Sequence, residues 1–575
     1  MRVPFACLLL CLLACSAEEP ADTAEAEFAD TVLVGGTIYT GVAAKPQVEA
    51  VAVRDGRIDF AGSEAEARRR VGPATEVIDL GTSVLFPGFT DAHAHLFGIG
   101  WRERSLNLEG VASIAELVAL LAERGRAAET GTPIVGRGWI ETHWPEGRFP
   151  NRADLDAAVP DAPVVLVRAD GHALVASSAA LRAVGIDETF SAPEGGQAPR
   201  DAEGKLTGMF VDNAMGRFER YLAGPQGDER RPVLEEAARL EARLGWTGVH
   251  NMSVSWSDVE QLEALDRDGQ LAIRVYNAVD RDAADQLFAG GPRVGSDGQV
   301  VTRAVKIYMD GALGSRGAAL LADYADEPGN RGVDRAAHDD TRALFDRALA
   351  SGVQLAIHAI GDRGNRTALD WMEEAFAATP PERRALAEPR WRIEHAQIVD
   401  PSDIPRFAQL GVIASMQPSH AIGDLHFAPA RLGMERLAGA YAWSALRAAG
   451  AVVAGGSDAP VERGDPLIEF YAAVARKDLK GFQGEGWHPE QALDRSEALA
   501  LFTLAPAFAS HRETELGTIE VGKRADLTAF SGDLMTLPVE EIPLQRAVLT
   551  MVGGEIPHRV RDAGVEESQQ AARHP

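Results

Sequence analysis

Apolar and polar residues alternate through TVLVGGTIYT, AVAVRDGRIDFAG and TEVIDLGTSVLFPGF, and glycine-containing turns separate the runs, a pattern that predicts short antiparallel strands. The same pattern returns near the other end, in GTIEVGKRADLTAFSG and RAVLTMVGGEIPHRV. These two distant segments, residues 30–83 and 510–560, are expected to close into one composite β-sandwich. Over residues 84–509 the period changes. Apolar runs of strand length alternate with Ala/Leu-rich amphipathic helices, which predicts βα units around a parallel sheet. Eight strand candidates can be placed: VLFPGFTDAH, GVHNMSV, IRVYNAV, AVKIYMD, QLAIHAI, RWRIEHA, VIASMQPS and VVAGGSD. Eight of them predict an α/β fold built on a closed (β/α)8 TIM barrel. Residues 100–245, between the first and second candidates, are too many for one helical connection and predict an inserted subdomain. In that insert, WIETHWPEGRFP carries Trp139 and Trp144, which could roof a pocket but are better read as packing.

Composition narrows the class without changing the fold. With 575 residues, 46% hydrophobic and 25% charged, the chain can bury a large catalytic domain and a smaller companion. A formal net charge of −28 would repel phosphate backbones, so nucleic acid is set aside as a partner and solubility is the plainer meaning. The opening MRVPFACLLLCLLAC puts Arg2 before an apolar stretch, Val3 to Ala14, that is too short to span a bilayer permanently. Its end, Leu12-Leu13-Ala14-Cys15, is similar to the lipobox of bacterial lipoproteins, with Ser16 rather than an inner-membrane-retaining Asp after it. Residues 1–15 are therefore expected to be a lipoprotein signal and residues 16–29 a flexible acidic tether. Cys15 would then anchor the body to the outer membrane, facing the periplasm; a plain secretory signal is the alternative. All three cysteines, Cys7, Cys11 and Cys15, lie in this opening segment, so any metal site in the body must rely on imidazole or oxygen donors.

The first barrel strand runs into Asp91-Ala92-His93-Ala94-His95, and alternate residues on a strand share a face, so both imidazoles can address one ion. An HxH pair alone is weak. Four later strand candidates also end in a ligand type, at Lys306, His358, His395 and Asp458. In a closed barrel the C-terminal strand ends converge on one cavity, which turns six scattered residues into one ring.

PGFTDAHAH, VKIYMDGALGSR, IHAIGDR, RIEHAQ, ASMQPSHA and GGSDAPVE together resemble the amidohydrolase superfamily, specifically its family 3 branch, which includes N-substituted formamide deformylases. The resemblance runs from about Asp30 to about Val560. It implies His93 and His95 on one metal, His358 and His395 as further ligands, and Asp458 as ligand and proton acceptor. A divalent metal, zinc first among the candidates, is expected as one or two ions, lowering the pKa of a bound water. Lys306 is expected to be N6-carboxylated, since an ammonium repels metal whereas a carbamate can bridge two ions; the alternative is an unmodified amine fixing a carboxylate such as Asp310 or contacting substrate. The deaminase branch carries a Glu three residues after the fifth-strand His, where this chain has Gly361, which favours acyl hydrolysis over ammonia release. His172, His250, Arg316 and His420 are candidates for binding substrate. The expected activity is hydrolysis of a C–N bond in a small amide or formamide. A cyclic amide, dipeptide or ester hydrolase, or an envelope lipoprotein that has lost its chemistry, are the alternatives, and the oligomeric state stays open.

Overall fold

The computed structural model describes residues 28–560 except 109, 129–130, 142–143, 169–172, 194–195, 223, 296 and 485. The leader with Cys7, Cys11 and Cys15, nearly all of the tether, and the candidate His172 lie outside the described residues.

Eight parallel strands form the central sheet: β1 (Phe89–Ala94), β2 (Trp246–Val254), β3 (Arg274–Val279), β4 (Val300–Tyr308), β5 (Gln354–Ala359), β6 (Arg392–His395), β7 (Ile413–Met416) and β8 (Val453–Gly455). Each pairs with the next in chain order, and helices pack outside, as in a TIM barrel. β2, β3, β5 and β6 are almost wholly buried on both faces, which is why their sequences read as apolar runs rather than alternations. The seam between β8 and β1 is closed beyond the end of β8. Asp458 N–H donates to the His93 carbonyl at 2.7 Å, His95 N–H to Ala459 at 2.8 Å, and Ser457 N–H to Asp91 Oδ1 at 2.9 Å. Gly456 permits this approach, because a Cβ there would lie 2.4 Å from the His93 nitrogen.

The first candidate strand is in fact two. Val84–Pro87 ends before Gly88, and β1 begins at Phe89. Val84–Pro87 belongs to a six-stranded sheet, running parallel to Thr37–Tyr39 and antiparallel to Leu527–Phe530. That sheet joins the two ends of the chain. A second sheet of four strands, with Thr31–Val34 between Ala50–Arg54 and Glu76–Asp79, shares an apolar core with it through Leu33, Val51, Ile78, Leu85, Leu527 and Met551. Val84 and Phe86 face the other way, into the barrel core with Phe89 and Phe530. Both faces are buried, so the strand is apolar throughout and merges with β1 when read from sequence alone.

The insert has a six-stranded sheet of its own, with Ile134–Trp139 and Val164–Arg168 paired near its middle. Helix Ile114–Ala127 covers one face. Ser113 caps it by accepting from Glu116 N–H, and Ile114, Leu117 and Leu121 fall on its buried side at helical spacing. Trp139 and Trp144 sit in this subdomain core and donate to the carbonyls of Leu166 and Val111, so they pack the insert rather than roof a pocket.

Helix Arg231–Leu244 leads back to the barrel and ends at Gly245, whose φ of 109° suits glycine. Its Glu241 is fully buried with both carboxylate oxygens unpartnered, and burial, with Asp91 nearby, holds its pKa well above 4.5. The folded state thus binds this proton more tightly than the unfolded chain does. Stability therefore falls as pH rises above 4.5 and keeps falling until the folded-state pKa is passed. Glu241→Gln is expected to flatten that fall when urea unfolding is compared at about pH 5 and about pH 8. Identical pH trends in both proteins would show that Glu241 is not held protonated.

Candidate metal centre

Five of the expected ligands meet at the C-terminal mouth of the barrel. His93 and His395 Nε2 or Nδ1 atoms and an Asp458 oxygen lie within 4.8 Å of one another, a spacing that suits one ion. The His95 Nε2 is 3.1 Å and the His93 Nε2 is 3.5 Å from Asp458 Oδ1. The His358 ring centre is 4.6 Å from that of His395, whose ring is 4.8 Å from His93. Two of these residues have left-handed backbones, His395 at φ 76° and Asp458 at φ 61°, conformations that non-glycine residues hold at a cost and that cluster at functional sites.

In His93, His95 and His395 the other ring nitrogen fixes the tautomer. His93 Nδ1 is 2.6 Å from Glu394 Oε2, and His95 Nδ1 is 3.1 Å from the Met252 carbonyl. Carboxylate and carbonyl oxygens only accept, so each Nδ1 carries the hydrogen and each Nε2 offers its lone pair to the centre. His395 Nδ1 lies 2.8 Å from Gln417 Oε1, and the Gln417 amide donates to the Ser415 carbonyl, which turns its oxygen towards the imidazole. Burial, with Lys306 nearby, lowers His93 to about 4 and His358 to about 3, while burial and the neighbouring imidazoles hold His395 well below the ordinary range. These rings are neutral near pH 7.

Glu394 did not stand out in the sequence. It is fully buried, as is Arg392, and the Arg392 Nε lies 2.7 Å from its Oε1. Burial would raise the Glu394 pKa, but Arg392 and His93 outweigh it and hold the carboxyl ionised. The signal was available: Arg392 and Glu394, two apart in RWRIEHA, must share the barrel-facing side with each other. For Asp458, likewise, burial alone would raise the pKa, but the imidazoles of His93, His95 and His395 around it keep it well below the ordinary carboxylate range.

Lys306 reaches the same centre from β4, with Nζ 3.2 Å from His93 Nε2. Burial lowers its pKa to about 8, with Glu394 and Asp458 pulling the other way. Among the described residues no carboxylate oxygen lies within 4.0 Å of its amine. Asp310, the alternative partner, instead accepts backbone N–H groups from Ala319, Ile360 and Gly361.

The substrate candidates divide. His420 is at the centre: its Nε2 is 3.5 Å from Asp458 Oδ2 and its ring stacks on His395 at 5.9 Å. His250 is not at the rim, because it occupies the middle of β2, and its buried Nδ1 accepts from Arg392 Nη1 at 2.6 Å. It supports Arg392, which in turn supports Glu394 and His93. Arg316 lies in the loop after β4, where Asp326 and Glu327 engage its guanidinium. Tyr308, which the sequence did not single out, stands at the mouth with its ring 5.1 Å from His358 and its hydroxyl 2.6 Å from Ser253 Oγ.

Residues 76–558 match the model described as the amidohydrolase family. The chain is 33% identical over 534 residues to YtcJ of Bacillus subtilis (strain 168), a protein whose name places it among the amidohydrolases, covering 91% of this chain and 98% of that one. It is 28% identical over 551 residues to the N-substituted formamide deformylase of Arthrobacter pascens, covering 91% and 97%. A solved structure of an uncharacterized metal-dependent hydrolase from Pyrococcus horikoshii OT3 superposes with a TM-score of 0.74 at 28% identity, over 88% of this chain and 99% of that one. A barrel whose strand ends gather four imidazoles, a lysine and an aspartate, matched over most of its length, belongs to the amidohydrolase family.

Proposed function

We propose that this chain is a metal-dependent hydrolase that cleaves a C–N bond in a small amide, formamide or related molecule. The observation that carries the reading is the set of inward lone pairs around Asp458, each fixed by a partner on the far side of its ring. The donor set fits a divalent ion. His358 Nε2, His420 Nε2 and Asp458 Oδ1 are buried without a hydrogen-bond partner, and buried polar atoms of that kind call for a ligand.

His93, His95, His358, His395 and Asp458 would hold one or two ions, with Lys306 as a carbamate completing the set. When bound, the metal supplies Lewis acidity that lowers the pKa of a water and polarises the substrate carbonyl. Asp458, ionised and central, accepts the proton of the attacking water and returns it to the leaving nitrogen. The Tyr308 hydroxyl and His420 stand where they can donate to the carbonyl oxygen as negative charge develops. The formamide deformylase among the relatives supports a formyl or acyl amine as the substrate. The sequence of residues 1–29 supports an exported, lipid-anchored setting for this reaction.

The reading is tested on full-length protein by elemental mass spectrometry and a panel of N-formyl amines, N-acyl amines, cyclic imides and esters. A stoichiometric divalent metal is expected, with His395→Ala losing most of it and most of the turnover. Absence of metal, together with unchanged metal content and activity in His93→Ala, would remove the proposal.

A further inference from the structure

A cavity of about 350 Å³ opens between the insert and the barrel mouth. Its walls come from the helix Leu96–Arg104 that follows His95, from the insert strand Ile134–Trp139, and from Pro460 and Val461 just after Asp458. Its floor adjoins the metal centre: a methyl group at Gly98 would lie 2.9 Å from the Pro460 ring and 3.7 Å from His95 Cβ. A molecule whose reacting bond sits at Asp458 therefore has this space as the nearest room for the rest of its body. Trp101, Val135, Val167, Met215 and Leu222 make much of the wall apolar.

The charge of the lining is the opposite of the protein's. The chain carries 85 acidic against 57 basic residues, yet among the described residues the cavity is lined by two arginines and by no aspartate or glutamate. Arg102 is committed, donating to the carbonyls of Glu462 and Arg463 and to Glu103. Arg137 is exposed to the cavity and has no ion pair or side-chain hydrogen bond among the described residues. An apolar chamber ending in a free guanidinium matches an apolar group that ends in a carboxylate, since planar N–H donors pair with carboxylate oxygens two by two. In a molecule of net charge −28, such a local positive site also selects the anion against a repelling background.

We propose that this cavity is the specificity pocket for the substrate body, and that it takes an apolar substituent bearing an anionic terminus, with Arg137 as the residue that recognises the charge. The assignment rests on the hydrolase reading for the bond broken at Asp458, and its test separates the two. Isothermal titration of full-length protein with 4-phenylbutyrate and with 4-phenylbutan-1-ol compares a carboxylate with a neutral relative of the same body. The acid is expected to bind about tenfold more tightly, the preference to vanish in Arg137→Leu, and both ligands to be excluded by Val135→Trp, which fills the chamber. Equal affinities, a preference that survives Arg137→Leu, binding that survives Val135→Trp, or no binding of either ligand would each overturn the assignment. The matched pair N-formylphenylalanine and N-formylphenethylamine then reports on turnover. If neither is hydrolysed while the binding preference holds, the hydrolase reading fails and the pocket's ligand class stands.

Discussion

Arg392→Met is expected to destabilise the barrel by about 3–5 kcal/mol, the largest stability loss anticipated for one substitution here, because it strands a buried anion. Arg392 is fully buried and holds four groups through five contacts: Glu394 through Nε at 2.7 Å and Nη2 at 3.1 Å, His250 at 2.6 Å, the Ala92 carbonyl at 2.6 Å and Ser415 at 2.7 Å. Without the guanidinium, Glu394 must either keep an uncompensated charge or take up a proton, and a protonated Glu394 is a weaker acceptor for His93. The double variant Arg392→Met with Glu394→Leu separates these effects. Removing both charges should restore much of the stability, while His93 loses the partner that orients it and metal affinity drops by about 10–100-fold. Urea unfolding and metal retention against a chelator measure the two quantities independently. Recovery of metal retention along with stability would show that Glu394 does not orient His93.

Asp458→Asn is expected to lower kcat/KM by about 10²–10⁴-fold against whichever amide the panel identifies, with little change in folding. Asparagine is nearly isosteric and tolerates the left-handed backbone that position 458 adopts, at φ 61°, so the seam bond from its N–H to His93 can persist. What disappears is the carboxylate charge, and with it both the capacity to accept a proton and the anionic donor proposed for the ion. A variant that kept full turnover would mean that another group moves the proton, and His420, 3.5 Å away, would be the next to replace.

The barrel was legible because buried parallel strands are apolar runs, and all eight candidates fall on β1 to β8. The ring of His93, His95, Lys306, His358, His395 and Asp458 was legible for the same reason: each lies at or near a strand's C-terminal end, and the closed sheet brings those ends together. What escaped lies deeper in the strands. Arg392 and Glu394 are charged residues inside an apolar run, and the charge compensation that lets them be buried depends on β1 and β2, distant in sequence. His250 was misplaced because a nine-residue strand puts its middle well below the rim. The ion pairs of Arg316 escaped because its partners, Asp326 and Glu327, lie in the same long loop, whose path has no periodicity to betray it. The division of VLFPGFTDAH at Gly88 escaped because neither half is exposed on any face.

That division has a consequence for the order in which the protein is made. Val84–Pro87, which feeds directly into the strand bearing His93 and His95, is held on one edge by Leu527–Phe530, nearly the last strand to leave the ribosome. Until position 458 has been made the histidine pair faces no Asp458, and until residues 527–530 follow, the segment leading into the pair has no neighbour on that side. Full assembly of the centre is thereby expected to wait for these late strands, and a chain ending before Leu527 is expected to hold the His93 and His95 strand less firmly, although that strand was synthesised long before.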